Sequence, residues 1–228
     1  CEELRQLSRA GGGGGGGRSL GGGGGGGGGR REAWRGAAGV RAAGWRAGAG
    51  AVPVHMHTTE TTGLPKRWDA PLSDSDNWPR CIQIAWQIHD AKGNLITHKD
   101  YLVQPDDFTI PFDSEQIHGI STTLDTSEGT PLATVLSEFE EALQEVSFVV
   151  GHNVSFDRNI MGAEFISAGL ADPLDEKAVN DTCTEETAQH CELPGGRGGK
   201  FKPHTLGELH HVLFQESFEE AHNSTADV

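Results

Sequence analysis

The sequence predicts an α/β domain in which a mixed β-sheet is flanked by helices. Segments with alternating apolar residues come first, and segments with apolar residues three and four apart then alternate with short apolar runs. Strands followed by alternating helices and strands are typical of a mixed sheet. The 171 residues from position 58 onward also have the length of one domain with its own core.

Three strands are predicted in the first half of this domain. Residues 52–59 alternate weakly and form the first strand, although Pro53 cannot donate a hydrogen bond to a central ladder. Residues 81–89 alternate well, and residues 95–103 follow after the turn sequence Lys92-Gly93-Asn94. We therefore expect the second and third strands to form a hairpin.

Helices and short strands are predicted to alternate in the second half. Pro131 begins a helix whose apolar residues recur at spacings of three and four. Gly169 is placed to end a second helix. The predicted elements after Pro131 are, in order, the helix that it begins, a strand at 147–150, a helix at 155–168, a strand at 178–182, a glycine-rich loop at 194–202 and a helix at 205–214.

Residues 1–51 have a different composition from the rest of the chain. Residues 1–57 hold 21 of the 33 glycines, together with eight arginines and three glutamates, a net charge of +5. Glycine runs bury no side chain and lose much backbone entropy on folding, so residues 1–51 are predicted to be disordered. A linker or a gene-assignment artefact is the favoured interpretation. The alternative is an RNA-binding tail in which Trp34 and Trp45 stack on bases.

Charge, hydropathy and cysteine content exclude several classes of protein. No apolar stretch approaches the roughly 20 residues of a membrane-spanning helix, so we expect no membrane partner. Cysteines 1, 81, 183 and 191 lack CxxC spacing, which indicates neither a structural zinc site nor a disulfide scaffold, and predicts reduced thiols in a cytoplasmic protein. Residues 58–228 carry 10 basic and 30 acidic residues, a net charge of −20. Binding of nucleic acid would then depend on metal ions or a partner's basic surface.

Three short segments contain the residues that suggest chemistry. The first is Thr58-Thr59-Glu60-Thr61-Thr62-Gly63-Leu64, where a predicted strand enters a turn. The second is Gly151-His152-Asn153-Val154-Ser155-Phe156-Asp157, where a strand meets a helix, and the third is His222-Asn223-Ser224-Thr225-Ala226-Asp227. Each segment puts an acidic residue at the end of an element. Taken singly, each acid also has an explanation without chemistry. Glu60 could be a surface turn residue, Asp157 an acid in the first turn of a helix, and Asp227 a solvated charge near the end of the sequence.

Together and in this order, the segments resemble the motifs of the DEDDh family of 3′→5′ exonucleases. This family has a ribonuclease-H-like fold and includes the proofreading epsilon subunit of bacterial DNA polymerase III. The matching segments are residues 59–64, 153–157 and 222–227, with a further family segment at 117–120. The insert at 65–80 and the loop at 194–202 resemble exonuclease domains attached to bacterial replicative polymerases. The resemblance implies a domain over 52–228 that is truncated at its C-terminal helix.

The resemblance also implies a role for each matching residue. The family hydrolyses phosphodiesters with two divalent ions, Mg²⁺ or Mn²⁺, which activate water and stabilise the leaving 3′ oxygen. By resemblance, Glu60, Asp157 and Asp227 are metal ligands and His222 is the general base. Residues Thr61, Thr62, Gly63 and Leu64 would contact the 3′-terminal nucleotide, and His118 and Phe156 would lie along the substrate cleft.

Thr58 departs from the family pattern at the position of the acid that bridges both metals. A hydroxyl cannot replace a bridging carboxylate, so we expect severely impaired catalysis. His55 and His57 share a strand face, but position 57 should point away from position 58 and is a poor substitute. Asp227 lies one residue before the last residue of the sequence, where a helix end would fray.

Three functions follow from these observations. The first is a proofreading-type 3′→5′ exonuclease for single-stranded DNA 3′ ends, partnered by a replicative DNA polymerase subunit and impaired by Thr58. The second is a catalytically inactive exonuclease-fold module that binds a polymerase or single-stranded nucleic acid. The third is an RNA-directed exoribonuclease, since the motifs do not separate DNA from RNA.

Overall fold

A computed structural model describes residues 53–216 and shows one five-stranded mixed sheet flanked by helices. The strands are β1 (Val54–Thr61), β2 (Cys81–His89), β3 (Leu95–Leu102), β4 (Phe148–Gly151) and β5 (Ala178–Asp181). The helices are α1 (Phe112–His118), α2 (Thr122–Glu128), α3 (Leu132–Gln144), α4 (Ser155–Ser167), α5 (Glu185–Cys191) and α6 (Leu206–Phe214). The predicted fold class is confirmed. No helix in the described range is both long and apolar enough to cross a membrane.

The sheet has the strand order β3-β2-β1-β4-β5, so β1 lies at its centre. β1 and β3 both pair antiparallel with β2, which confirms the predicted hairpin. β1 pairs parallel with β4, and β4 pairs parallel with β5. The carboxyl ends of β1, β4 and β5 therefore meet at one edge of the sheet.

The first strand begins and ends two residues later than predicted. β1 starts at Val54 and continues to Thr61, so Pro53 lies immediately before the ladder and needs no strand partner. The segment predicted at 52–59 is thus a strand, but its bounds are shifted by two residues. Alternation was weak there because β1 contacts other elements on both of its faces, with Thr59, Glu60 and Thr61 all buried.

The main core lies between the sheet and helices α3 and α4. The apolar face of α3 supplies Val135, Leu136, Phe139 and Leu143, which are all buried, as the predicted periodicity requires. Gly169, with φ of 75°, follows α4 as its predicted stop. A smaller cluster of Ile82, Ile110 and Ile120 packs beside α2.

Three short helices, α1, α2 and α5, were not predicted. Each has seven residues, too few for a hydrophobic period to emerge. Their ends are fixed by local capping instead: Ser121 accepts a hydrogen bond from the backbone of Leu124, and Thr184 forms a capping box with Thr187.

Candidate active site

The first two motif segments come together at the sheet edge formed by β1 and β4. Glu60 is the penultimate residue of β1, and Asp157 lies in the first turn of α4, which follows β4 after a short loop. Because β1 and β4 are parallel, the chain leaves both strands on the same side. The predicted proximity of these segments is a consequence of the sheet order.

Asp157 is fixed directly to the middle of the first motif. Its Oδ1 atom accepts a hydrogen bond from the Thr59 backbone N–H at 2.9 Å and another from the Thr59 hydroxyl at 2.8 Å. Both groups are buried. Thr58 and Glu60 flank Thr59, so this contact joins the second motif segment to the first beside the predicted metal positions.

Thr58 and Glu60 lie on one face of β1, because residues two apart in a strand point the same way. Glu60 is completely buried and Thr58 is half-buried. His55 and His57 occupy the opposite face, where both rings pack edge-on against Phe139 at 5.2 Å between centroids. His57 therefore does not take the place of the missing acid, as its position in the strand indicated.

Several negative charges meet around the buried Cys81 thiol. Burial raises the pKa of Cys81 well above its ordinary value, and the carboxylates of Glu164, Asp157, Asp125 and Glu60 add to this effect. Glu164 is neutralised by Arg80, whose Nε lies 3.0 Å from its Oε1. Glu60 and Asp157 thus both lie near the buried Cys81 thiol.

The turn after β1 is held by its own hydrogen bonds. The Thr61 hydroxyl donates to the Gly63 carbonyl at 2.7 Å, and the Thr62 N–H donates to the Arg80 carbonyl at 2.9 Å. The Ser114 hydroxyl donates to the Thr62 carbonyl at 2.9 Å and links the turn to α1. Leu64 is partly buried and packs against the main core. The turn predicted to contact a terminal nucleotide is therefore ordered by neighbouring elements.

His118 lies at the end of α1, next to a cavity beside β2 and β3. Its Nδ1 accepts a hydrogen bond from the Ile120 N–H at 3.1 Å. Burial lowers the pKa of His118 to about 4, so the ring is neutral near neutral pH. The cavity, about 500 Å³, is also lined by Gln83, the partner of Glu60 in the β1–β2 ladder.

Phe156 does not have the position expected for a residue along an open cleft. Its side chain is completely buried and belongs to the main core. The exposed ring of Trp68 covers it at 5.8 Å between centroids. Phe156 is the second residue of α4, and its side chain points into the main core instead.

His222 and Asp227, the predicted base and the predicted third metal ligand, lie outside the described residues. Two contributing residues escaped the sequence analysis. Thr59 anchors Asp157, and Ser114 fixes the turn at Thr62. The role of Thr59 could have been suspected from its place between two motif positions. Ser114 lies far from the first motif in sequence, and no sequence pattern indicated its contact with Thr62.

The donor atoms suit a hard cation, but not a bridged pair within the described range. Carboxylate oxygens such as those of Glu60 and Asp157 are preferred ligands of Mg²⁺ and Mn²⁺. Thr58, two residues before Glu60 in β1, offers only a neutral hydroxyl at the position of the family's bridging acid. With one carboxylate fewer than the family motif, these residues lack the negative charge required to hold two dications side by side.

Comparison with known proteins agrees with this fold. Residues 59–228 match the RNase_T exonuclease family. No curated protein matches the chain. Escherichia coli exonuclease I with a dT13 oligonucleotide aligns at 19% identity with a TM-score of 0.59, covering 77% of this chain and 38% of that one. The zinc-bound exonuclease I–single-stranded DNA complex of E. coli aligns at 19% identity with a TM-score of 0.58, over the same shares of the two chains.

A complex of exonuclease I with the SSB C-terminus also has this fold, at 17% identity and a TM-score of 0.57, covering 77% of this chain and 39% of that one. The chain thus spans about two fifths of the length of these structures. The family match covers about three quarters of the chain and includes both motif segments that meet at the sheet edge. The chain therefore belongs to the RNase_T exonuclease family, as a domain of the DEDDh 3′→5′ type.

Proposed function

We propose that this domain is a 3′→5′ exonuclease for single-stranded DNA ends, of the proofreading type, whose catalysis is impaired at one position. The supporting observation is the attachment of Asp157 to Thr59, with Thr58 and Glu60 on either side. This arrangement keeps the framework of a carboxylate site while lacking the charge that the first position should supply.

Each site residue has a defined part in the proposal. Glu60 and Asp157 would hold a divalent ion, Mg²⁺ or Mn²⁺, which supplies charge neutralisation at the scissile phosphate. Asp227 would add a carboxylate and His222 would accept a proton from water, as the family motifs imply. The described residues lack the negative charge that a second ion requires.

Substrate contacts are proposed for the ordered turn and for His118. Residues Thr61, Thr62, Gly63 and Leu64 would contact the 3′-terminal nucleotide with backbone N–H groups and the Leu64 side chain. The neutral ring of His118 and its neighbouring cavity would take the strand beyond the terminus. Exonuclease I structures that contain oligonucleotides support DNA as the substrate class. A replicative polymerase subunit is the proposed partner.

The second candidate function is a non-catalytic module that binds single-stranded nucleic acid or a polymerase. Thr58 favours it, because a neutral residue at the bridging position removes a metal ligand outright. Disturbing even outer-shell partners of a metal costs about 10–100-fold in affinity or activity. The two candidates differ in one measurable respect, which is whether restoring the acid restores hydrolysis.

Thr58→Asp is the experiment that tests the proposal. The variant places two carboxylates on one face of β1, and we expect release of mononucleotides from 3′-labelled single-stranded DNA in Mg²⁺ or Mn²⁺. The matched control is Thr58→Asn, which has the shape of aspartate without its charge and should show no more activity than the unaltered chain. A parallel reaction with RNA of the same sequence tests the exoribonuclease alternative.

Two outcomes would contradict the proposal. Equal activity in Thr58→Asp and Thr58→Asn would show that charge at position 58 is not the defect. A folded Thr58→Asp variant that binds DNA without cleaving it would favour the non-catalytic module. Adding Glu60→Gln to the Thr58→Asp variant should abolish restored activity, which separates this site from a contaminating nuclease.

A further inference from the structure

A cluster of metal-binding side chains lies at the same sheet edge but outside the carboxylate site. His152 follows β4, Cys183 lies two residues beyond β5, and His204 precedes the N-cap of α6. One ligand atom from each of these three residues lies within 4.8 Å of the other two. The edges of a tetrahedral zinc site are about 3.5 Å long, given Zn–S and Zn–N bonds of about 2.3 and 2.0 Å. Coordination would require the three donors to move closer to that spacing.

Both imidazole rings are oriented by hydrogen bonds to backbone carbonyls. His204 Nε2 lies 3.1 Å from the Thr182 carbonyl, and His152 Nε2 lies 3.1 Å from the His204 carbonyl. A carbonyl only accepts, so each Nε2 carries the proton. The His152 Nδ1 lies 3.0 Å from the Thr182 hydroxyl, and coordination of a metal by this atom would replace that contact. Zinc-binding histidines commonly donate their second N–H to a carbonyl or carboxylate in this way, which fixes the tautomer needed for coordination.

The backbone around the cluster is held independently of any metal. Asp181 Oδ1 accepts hydrogen bonds from the N–H groups of Asn153 and Cys183, both at 2.7 Å. The Thr182 N–H donates to the Gly151 carbonyl at 2.9 Å and continues the β4–β5 pairing. The loops that carry His152 and Cys183 are therefore fixed to each other before a ligand arrives.

The cluster is accessible from solvent on one side. Cys183 lines a cavity of about 990 Å³ whose walls include Gly196, Lys200 and Phe201 of the glycine-rich loop. His152 and Cys183 are half-buried, whereas His204 is almost completely buried. A metal ion can therefore approach from the cavity, with His204 at the base of the site.

We propose that His152, Cys183 and His204 form a zinc site. One thiolate and two imidazoles are borderline-soft donors that suit Zn²⁺ and do not suit Mg²⁺ or Mn²⁺. The bound ion would join the ends of β4 and β5 to the segment before α6, and so tie the glycine-rich loop to the sheet. It would also fix His152, the residue immediately before the loop that leads into α4 and Asp157.

Zinc and cobalt binding to the full, reduced, metal-stripped chain test this proposal. Competition with a chromophoric chelator should show one tight zinc per chain, and Co²⁺ should give a thiolate-to-metal charge-transfer band with the strong visible absorption of tetrahedral cobalt. Cys183→Ser and His204→Ala should each weaken zinc binding at least tenfold and remove the charge-transfer band or the tetrahedral signal, respectively. Cys191→Ser and His211→Ala are the matched controls and should bind as the unaltered chain does.

A second set of variants separates this site from the carboxylates. Glu60→Gln combined with Asp157→Asn should leave the zinc affinity and the cobalt spectrum unchanged, because neither residue belongs to the cluster. Loss of binding in that variant would overturn the proposal, as would cobalt binding without a thiolate band or equal affinity in Cys183→Ser and Cys191→Ser. If Cys183→Ser or His204→Ala fails to fold, His152→Gln provides the same comparison, with circular dichroism as the check on its fold.

Discussion

Asp157 has a structural contact as well as a predicted role in chemistry. Its carboxylate accepts two buried hydrogen bonds from Thr59 and so joins α4 to the central strand. Asp157→Ala should lower the free energy of unfolding by about 2–4 kcal/mol, because a buried backbone N–H and a hydroxyl lose their acceptor. Asp157→Asn keeps a carbonyl oxygen at this position and should cost clearly less. Urea denaturation of the two variants gives the comparison.

The contrast between the two variants matters for any activity measurement. An Asp157→Ala variant that loses both stability and activity does not identify a metal ligand. Equal stability of Asp157→Ala and the unaltered chain would show that the Thr59 contact carries no net stabilisation. Asp157→Asn, which removes charge while retaining the acceptor, is the better probe of metal binding.

His57 should make the fold sensitive to mild acid. Burial lowers its pKa from 6.5 to about 4, with the negative charge of Asp157 opposing that shift. The unfolded chain then binds a proton more readily than the folded chain, so the stabilisation is present above pH 6.5 and is lost as the pH falls towards 4. Titration of this one ring should lower the free energy of unfolding by about 3 kcal/mol over that interval.

His57→Phe tests this pH dependence while preserving a ring against Phe139. The variant should lose less stability between pH 6.5 and pH 4 than the unaltered chain, as measured by denaturation midpoints. His55, whose pKa is also lowered by burial, remains and keeps part of the slope. His98→Phe, at an exposed position of β3, should leave the slope unchanged. Identical slopes in all three proteins would exclude His57 as the titrating group.

At the scale of elements, Phe139 joins α3 to the sheet and to α4 through aromatic contacts. Its ring is completely buried and contacts Trp86 on β2 and Phe165 on α4, in addition to the two histidines of β1. Phe139→Ala should destabilise the protein by about 3–5 kcal/mol, because it leaves a cavity among these rings. Phe112→Ala removes the same group where it is 70% exposed and should cost far less.

Thermal unfolding of the two alanine variants measures this difference. Similar melting temperatures would show that the core around Phe139 closes after the ring is removed, which is contrary to expectation.

The same pair of residues shows why α3 could be predicted from the sequence and α1 could not. Apolar side chains recur over 13 residues in α3, whereas α1 has seven residues and is bounded by Pro111 and a left-handed Gly119.

At the scale of the whole molecule, the stability of the unaltered chain should respond weakly to magnesium. Without a carboxylate at position 58, the affinity falls and the binding free energy gained by the folded state is small. Low-millimolar Mg²⁺ should raise the melting temperature by only about 1 °C, against several degrees for Thr58→Asp. Differential scanning fluorimetry in zinc-free buffer provides the measurement, and Thr58→Asn is the control. A rise of many degrees in the unaltered chain would contradict the lost-ligand account.

The sequence by itself determined the elements whose signal is local. Alternation identified β2, the turn after it identified β3, and periodicity identified α3. Resemblance to the family motifs identified the acids Glu60 and Asp157. These features depend on residues close together in the chain, and they led to the exonuclease family that the comparison with known proteins bears out.

Only the tertiary structure decided which distant residues meet. The parallel pairing of β1, β4 and β5 places Asp157 on Thr59, buries Phe156 beneath Trp68 and gathers His152, Cys183 and His204 at one edge. Cysteine spacing showed no metal site because its three donors lie about 20 and 30 positions apart in sequence. Contacts of that kind arise from strand order and long-range packing, which no local pattern of residues encodes.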